Sequence, residues 1–385
     1  MRTYNYKKGK TALLLFGVCD ILPAKGVFFM LDFVVETKTV WENLKAVDKP
    51  IVLYGMGNGA DRILDRCIAE GITVSEVFAS DAFVRGQTFR SYQVCKYADI
   101  VKKYENFAIV IAFASESPSV LEDFYTLADK HETYAPHVAV FAGDDIVSFR
   151  WLQLHAAQLQ MVYDNLADAR SREVFADILN YKVSGKLKYL KNSTSQRQDD
   201  LRELLNFDEN EIYVDLGAYD GDTIREFLQL TQGAYSKIFA LEPDKKNFSK
   251  LQRFIAQEEL SNVELLNSGI WFKPGQHNFF QRGGRMSSLS EQGKVSVEVN
   301  SLDNILGKGA VSYIKMDVEG AEAEALMGGC EHLVKYMPKL FVAGYHRDDD
   351  LWKLPQLLWK IAPYKIFLRR HPYVPCWEIN FLAKK

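Results

Sequence analysis

The chain has 385 residues, long enough for two domains that each bury a core. Its composition, 48% hydrophobic and 25% charged, is ordinary for a soluble globular protein. A net charge of −3 gives no global reason to expect nucleic acid as a partner. The five cysteines (Cys19, Cys67, Cys95, Cys330, Cys376) are scattered and odd in number, which favours reduced thiols and a cytoplasmic protein.

Residues 1–10 are basic and 11–19 (TALLLFGVC) apolar, an imitation of a signal peptide's opening. Asp20 and Lys25 interrupt that run, and it is too short to span a bilayer. Residues 1–40 therefore read as an N-terminal extension, with a targeting segment or a structured arm as the alternatives. From Pro50 the chain alternates strand and helix. Residues 51–54 (IVLY) form a short strand that runs into GMGNGA, where Gly55, Gly57 and Ala60 fit the relaxed nucleotide-binding turn G-x-G-x-x-A. A helical stripe of Ile63, Leu64, Cys67 and Ile68 follows. Then come a strand over 74–79 with Asp81 beyond it, a strand over 109–113 and a helix over 120–130. Residues 41–147 are a small Rossmann-like unit. Its glycine turn serves either a nucleotide or nucleotide-sugar pocket, or tight strand–helix packing. Residues 148–204 read as a helical connector, closed by a polar linker at 192–200 (NSTSQRQDD).

A second α/β unit fills 205–385. Residues 212–216 are β-favouring and break at Gly217, with Gly221 four residues on and an amphipathic helix behind it. Strand, glycine turn and helix bring backbone N–H groups close to a ligand, with Asp215 at the strand's end. The next strand ends in Glu242-Pro243-Asp244, where an acid can accept from both hydroxyls of a ribose. Asn267 and Ser268 end the third strand. Residues 271–281 read as a hairpin insertion, and 283–290 (GGRMSSLS) as a candidate lid or a solvated loop. In YIKMDVEGAE, Asp317, Glu319 and Glu322 gather at the end of a fourth strand, where an open α/β sheet places chemistry. A fifth strand delivers Tyr345 and His346 to the same edge.

Four segments in this order, VDLGAYDGDT, LEPD, SLDNIL and IKMDVEGAE, resemble the FkbM family of S-adenosylmethionine (SAM)-dependent O-methyltransferases over about 205–385. The resemblance implies a class I methyltransferase fold with a seven-stranded sheet, preceded here by the smaller Rossmann-like α/β unit. It implies SAM as cofactor, bound by Asp215, Gly217, Ala218, Tyr219, Gly221, Glu242, Pro243, Asn267, Ser268 and Asp317. It also implies methyl transfer to a hydroxyl of a sugar, glycan or related small-molecule acceptor, nucleotide-linked or free. His346 is the candidate general base, with Asp317 either orienting it or holding an activating cation such as Mg²⁺. The alternative from another class is a non-catalytic nucleotide-binding regulator or scaffold in glycan biosynthesis. A homodimer is compatible with all of this, and neither nucleic acid nor a membrane span is expected.

Overall fold

A computed structural model describes residues 31–137, 147–280, 288–289 and 295–385. The predicted extension up to residue 30, with Cys19, and the candidate lid apart from 288–289 lie outside the described residues. Residues 31–40, assigned to that extension, are docked instead of loose. Leu31 and Val34 are buried, and the amide oxygen of Asn180 accepts from the backbone of Val35 and Glu36. Among the described residues, no helix is long and apolar enough to cross a membrane.

The first sheet has six strands: β1 (Ile51–Tyr54), β2 (Glu76–Ala79), β3 (Thr88–Phe89), β4 (Tyr92–Lys96), β5 (Ala108–Ile111) and β6 (Glu132–Tyr134). Their order is β3-β4-β2-β1-β5-β6, parallel except where β3 folds back on β4. Every residue of β1 and β5 is buried, as expected when helices cover both faces of a parallel sheet. The sequence pattern missed β3, β4 and β6, short and largely polar strands at or next to the sheet's edges.

Close packing constrains part of the glycine turn after β1, though a Cβ on Gly57 would meet nothing within 4 Å. A Cβ on Gly55 would sit 2.6 Å from the Phe113 ring, and one on Gly59 would sit 2.6 Å from the Ala112 carbonyl oxygen. Asp81 opens a single turn, Asp81–Phe83, and is exposed.

The remaining strands are β7 (Ile212–Leu216), β8 (Lys237–Leu241), β9 (Val263–Leu266), β10 (Gly269–Ile270), β11 (Gly275–Phe280), β12 (Ser288–Leu289), β13 (Val295–Asn300), β14 (Tyr313–Met316), β15 (Lys339–Ala343), β16 (Lys365–Arg370) and β17 (Ile379–Lys384). Seven of them form the large sheet, ordered β16-β17-β15-β14-β7-β8-β9. Its strands are parallel from β15 through β9, and β17 runs antiparallel to both β15 and β16. This is the expected class I methyltransferase order. β7 and β14 are paired although far apart in sequence, so the connections leave them in opposite directions and open a crevice at their carboxyl ends. The expected hairpin at 271–281 is corrected in its partner: β11 pairs antiparallel with β13, whose alternating VSVEVN had not been assigned.

Five helices separate the sheets: Phe149–Leu154, Ala156–Asn165, Ala169–Ser184, Leu187–Ser193 and Arg197–Leu205. The predicted polar linker is absorbed into the last two, with Ser193 and Asp200 buried. One continuous apolar cluster runs from Val52 and Phe78 through Phe175 and Ile178 to Val214, Ile314 and Leu368. The two sheets thus share one apolar cluster, and each keeps a further cluster of its own, around Leu53 and Val110 in the first and around Tyr213 and Phe227 in the second.

Buried ion pairs reinforce the junction. Asp348 receives Lys182 at 2.5 Å and the His137 ring at 3.0 Å. Arg369 bridges Asp168 at 2.6 Å and Asp200 at 3.2 Å.

Candidate active site

A cavity of about 320 Å³ opens at the carboxyl edge of β7, β8 and β14, within the size range of small-molecule sites. It is built first by the turn after β7. Gly217 (φ +84°) and Gly221 (φ +94°) occupy left-handed backbone open to glycine, and Tyr219 between them is left-handed too. A Cβ on Gly217 would collide with the Asp317 carbonyl, so this glycine lets the ends of β7 and β14 approach.

Glu242 closes the next strand and is buried against the cavity wall. Its Oε2 accepts from the Tyr219 N–H at 3.0 Å and its Oε1 from the Asp244 N–H at 2.8 Å, so the acid holds the glycine turn in place. Burial pushes its carboxyl up to about 7, against the pull of those two N–H groups. Leu241, Pro243 and Ile270 give this end an apolar wall, with Asn247 and Ser268 as polar points.

The opposite end carries the chemistry-bearing side chains of β14 and β15. Asp317, Val318, Glu319 and Tyr345 line it, and the Tyr345 hydroxyl donates to Asp317 Oδ2 at 3.1 Å. His346 lies behind this wall at 3% exposure. Its Nε2 is 3.4 Å from Asp317 Oδ1 and 3.7 Å from Glu319 Oε2, and its Nδ1 is 2.9 Å from Glu322 Oε1 without hydrogen-bond alignment.

These neighbours decide the charges. Burial alone would lower the His346 pKa, but Glu322, Asp317 and Glu319 together push it up to about 10. Burial raises Glu319 to about 8, in spite of His346. Burial would also raise Asp317; His346 and Lys315 outweigh it and hold that carboxyl below its usual range. A third of the Asp317 side chain faces the cavity, although the surrounding atoms shield it from bulk water. The expectation of a free histidine base near neutrality meets this environment: with the carboxyl groups of Asp317, Glu319 and Glu322 around it, the buried ring is biased toward its protonated form, which offers no lone pair.

Among the expected cofactor residues, the cavity wall includes Gly217, Tyr219, Glu242, Pro243, Ser268 and Asp317. Asp215, Ala218, Gly221 and Asn267 are not on it. Asp215 is fully buried, 3.2 Å from Lys315 Nζ, and accepts from the Thr223 hydroxyl; it braces the turn from below. Ala218 is buried, Gly221 packs against Phe254, and Asn267 donates to the carbonyls of Glu242 and Pro243.

Several wall residues had not been singled out: Lys315, Thr223, Arg197, Glu226, Glu378 and Glu116. Lys315 interrupts an otherwise apolar buried strand, a readable signal. Buried between Asp215 and the Gly217 carbonyl, which it meets at 2.7 Å, it stays charged: burial lowers its pKa and Asp215 and Asp317 more than restore it. Arg197 gave no local signal. It reaches the cavity from the last connector helix, pairs with Glu226 at 2.8 Å and lies 4.2 Å over the Phe341 ring. Glu116 comes from the loop after β5, where Ser115 bridges Val374.

Residues 215–361 match the family described as the Methyltransferase FkbM domain. A curated relative, the 2-O-methyltransferase NoeI of Sinorhizobium fredii, is 27% identical over 166 residues, which is 37% of this chain and 65% of the relative. The matched region thus spans slightly less than two thirds of that protein. In structure, the chain is similar to the methyltransferase FkbM of Methylobacillus flagellatus, with a TM-score of 0.67 at 19% identity, over 87% of this chain and 90% of that one. That coverage is more than residues 215–385 can supply, so the likeness in fold extends into the earlier part of the chain. The likeness to FkbM methyltransferases in sequence is thus carried by residues 215–361.

Proposed function

We propose that the protein transfers a methyl group from SAM to a hydroxyl of a sugar, glycan or related acceptor. The observation that carries this reading is the convergence, on one cavity, of Glu242, the glycine turn and the carboxylates that end β14. The residues present fit SAM. Glu242 offers two carboxylate oxygens at the place for a ribose, beside the apolar wall of Leu241, Pro243 and Ile270 suited to a flat base.

Bound SAM supplies a methyl group on a sulfonium, so that a C–O bond forms as the C–S bond breaks and its electron pair stays on sulfur. The chain's task is to align the acceptor oxygen, exclude water and receive the hydroxyl proton. Asp317 is the wall group placed for that last step, with Tyr345 orienting it through a hydrogen bond. His346 is a positioning residue whose charge keeps Asp317 ionised. Glu116 brings the N-terminal sheet to the cavity rim, which supports a role for that unit in holding the acceptor. The relative's 2-O-methyl transfer supports oxygen as the methylated atom.

The test is a screen of the full-length chain with methyl-labelled SAM against nucleotide sugars, free sugars and glycan oligomers. Label in a base-stable product is expected. Absence of SAM binding by calorimetry overturns the proposal.

A further inference from the structure

Asp317 and Glu319 would not by themselves mark a site, because clustered carboxylates at a strand end are common. The imidazole behind them is the independent observation. His346 is 3% exposed, and its Nδ1 rests against Glu322 Oε1 at 2.9 Å, which leaves Nε2 as the ring atom turned to the wall. Its Nε2 points at two carboxylate oxygens from 3.4 and 3.7 Å, neither of them a hydrogen bond. A nitrogen on so deeply buried a ring, with two carboxylate oxygens near it and no hydrogen bond to either, calls for a partner such as an ion.

The geometry assigns that partner: we propose that Asp317 Oδ1, Glu319 Oε2 and His346 Nε2 bind one divalent cation at the cavity wall. The three ligand atoms lie within 4.8 Å of one another. An octahedral cation with bonds near 2.1 Å sets adjacent ligands about 3 Å apart, so the two carboxylates must each draw in by up to about 1 Å to close onto it. Two carboxylates and one imidazole suit a cation of Mn²⁺ character, where oxygen and nitrogen donors are both accepted.

The surroundings are those of a metal-binding histidine. Glu322, 1% exposed at its side chain, sits 2.9 Å from the other ring nitrogen, and its Oε1 is itself held by the Val318 N–H at 3.0 Å. Glu319 adopts φ +54°, a left-handed conformation that costs a non-glycine residue energy and turns it into this corner. On binding, the cation replaces the proton on Nε2, which leaves to solvent.

Three protein ligands on one face leave about three positions toward the cavity, as in facial-triad sites. Two neighbouring oxygens of an acceptor, a vicinal diol or an α-hydroxy acid, can occupy two of them. The cation then acidifies the hydroxyl that is to be methylated. This role rests on the methyl-transfer reading; the site itself does not.

The test uses the full chain after chelator treatment, titrated with Mn²⁺ and followed by loss of the free-ion signal in electron paramagnetic resonance. SAM binding is measured in parallel by calorimetry. One Mn²⁺ per chain is expected, with affinity falling more than about 10-fold in Glu319→Gln and Asp317→Asn, which keep the shape of the wall. His346→Ala is read only where circular dichroism shows a native fold. Glu242→Gln should weaken SAM and leave Mn²⁺ binding unchanged. SAM binding without stoichiometric Mn²⁺ binding overturns the cation site and leaves the methyl-transfer reading standing. Mn²⁺ binding that survives both carboxylate substitutions at full affinity also overturns it. Stoichiometric Mn²⁺ binding lost in those variants, in a chain that does not bind SAM, sustains the site and defeats the proposed reaction.

Discussion

Replacing Glu242 by Gln tests the cofactor end of the cavity most directly. Its two oxygens already accept from the Tyr219 and Asp244 N–H groups. Each has a further lone pair to offer a ribose hydroxyl. A Gln keeps one acceptor and turns the other into a donor, which loses one contact to the ligand and sets an NH₂ against one backbone N–H. A hydrogen bond to a charged acceptor contributes about 1.5–3 kcal/mol, so SAM should bind roughly 10- to 100-fold more weakly.

The wild-type pH dependence supplies a second readout. The carboxyl, normally near 4.5, is raised to about 7 by burial. The folded chain therefore holds a proton there that the unfolded chain lacks between about pH 4.5 and 7, and stability from this group falls as pH rises through that window. Ribose hydroxyls donate best to the ionised form and pull the pKa back down. SAM binding should therefore release a proton near neutrality and tighten between about pH 6 and 8, and the Gln variant should show no such slope. Isothermal titration in buffers of different ionisation enthalpy measures both effects. Unchanged affinity in a folded variant, or wild-type affinity that declines across that range, would refute the reasoning.

Asp215→Ala should cost about 3–5 kcal/mol in urea unfolding, because it strands the buried Lys315 ammonium and frees Thr223; a loss under about 1 kcal/mol would mean that the pair does not brace the turn. Lys182→Met should cost a similar amount by leaving Asp348 buried with His137 alone, and a second change of Asp348→Leu should recover much of it; additive losses in the double variant would contradict the pairing. Glu116→Ala should raise the KM for the acceptor several-fold with SAM affinity unchanged, and a shift in SAM affinity instead would remove the N-terminal sheet from the acceptor wall.

The large sheet was legible because its central strands β7, β8, β14 and β15 are short buried runs that end in informative residues. Residues 212–216 were placed to the residue, and the acids Glu242 and Asp317 lie where strand order puts them. What the sequence concealed depends on contacts between distant segments. Asp215 reads like a ligand-facing acid at the end of a strand, yet Lys315, a hundred residues later, draws it beneath the turn. His346 looks like a free base until β14 delivers three carboxylates around it. The stretch at 192–200 has a linker's composition, yet its Asp200 is consumed by Arg369 and His371. Composition reports how polar a segment is and is silent about which buried partner satisfies it.

The same pairing explains why the earlier half of the chain bears on chemistry located in the later half. His346 and Asp348 leave β15 on one short connection, two residues apart, before the helix Asp350–Ile361 begins. His346 faces the cavity carboxylates, while Asp348 is clamped by Lys182 from the connector and His137 from beyond β6. Burying that carboxylate unpaired would be costly, so the Lys182 ammonium and the His137 ring fix the connection at one end while Glu322 meets His346 at the other. Arg197, on the last connector helix, reaches into the cavity beside Phe341 of the same strand. The connector helices therefore act as the scaffold that sets the position of the site's histidine. That role also accounts for a core that continues without a break from the first sheet to the second.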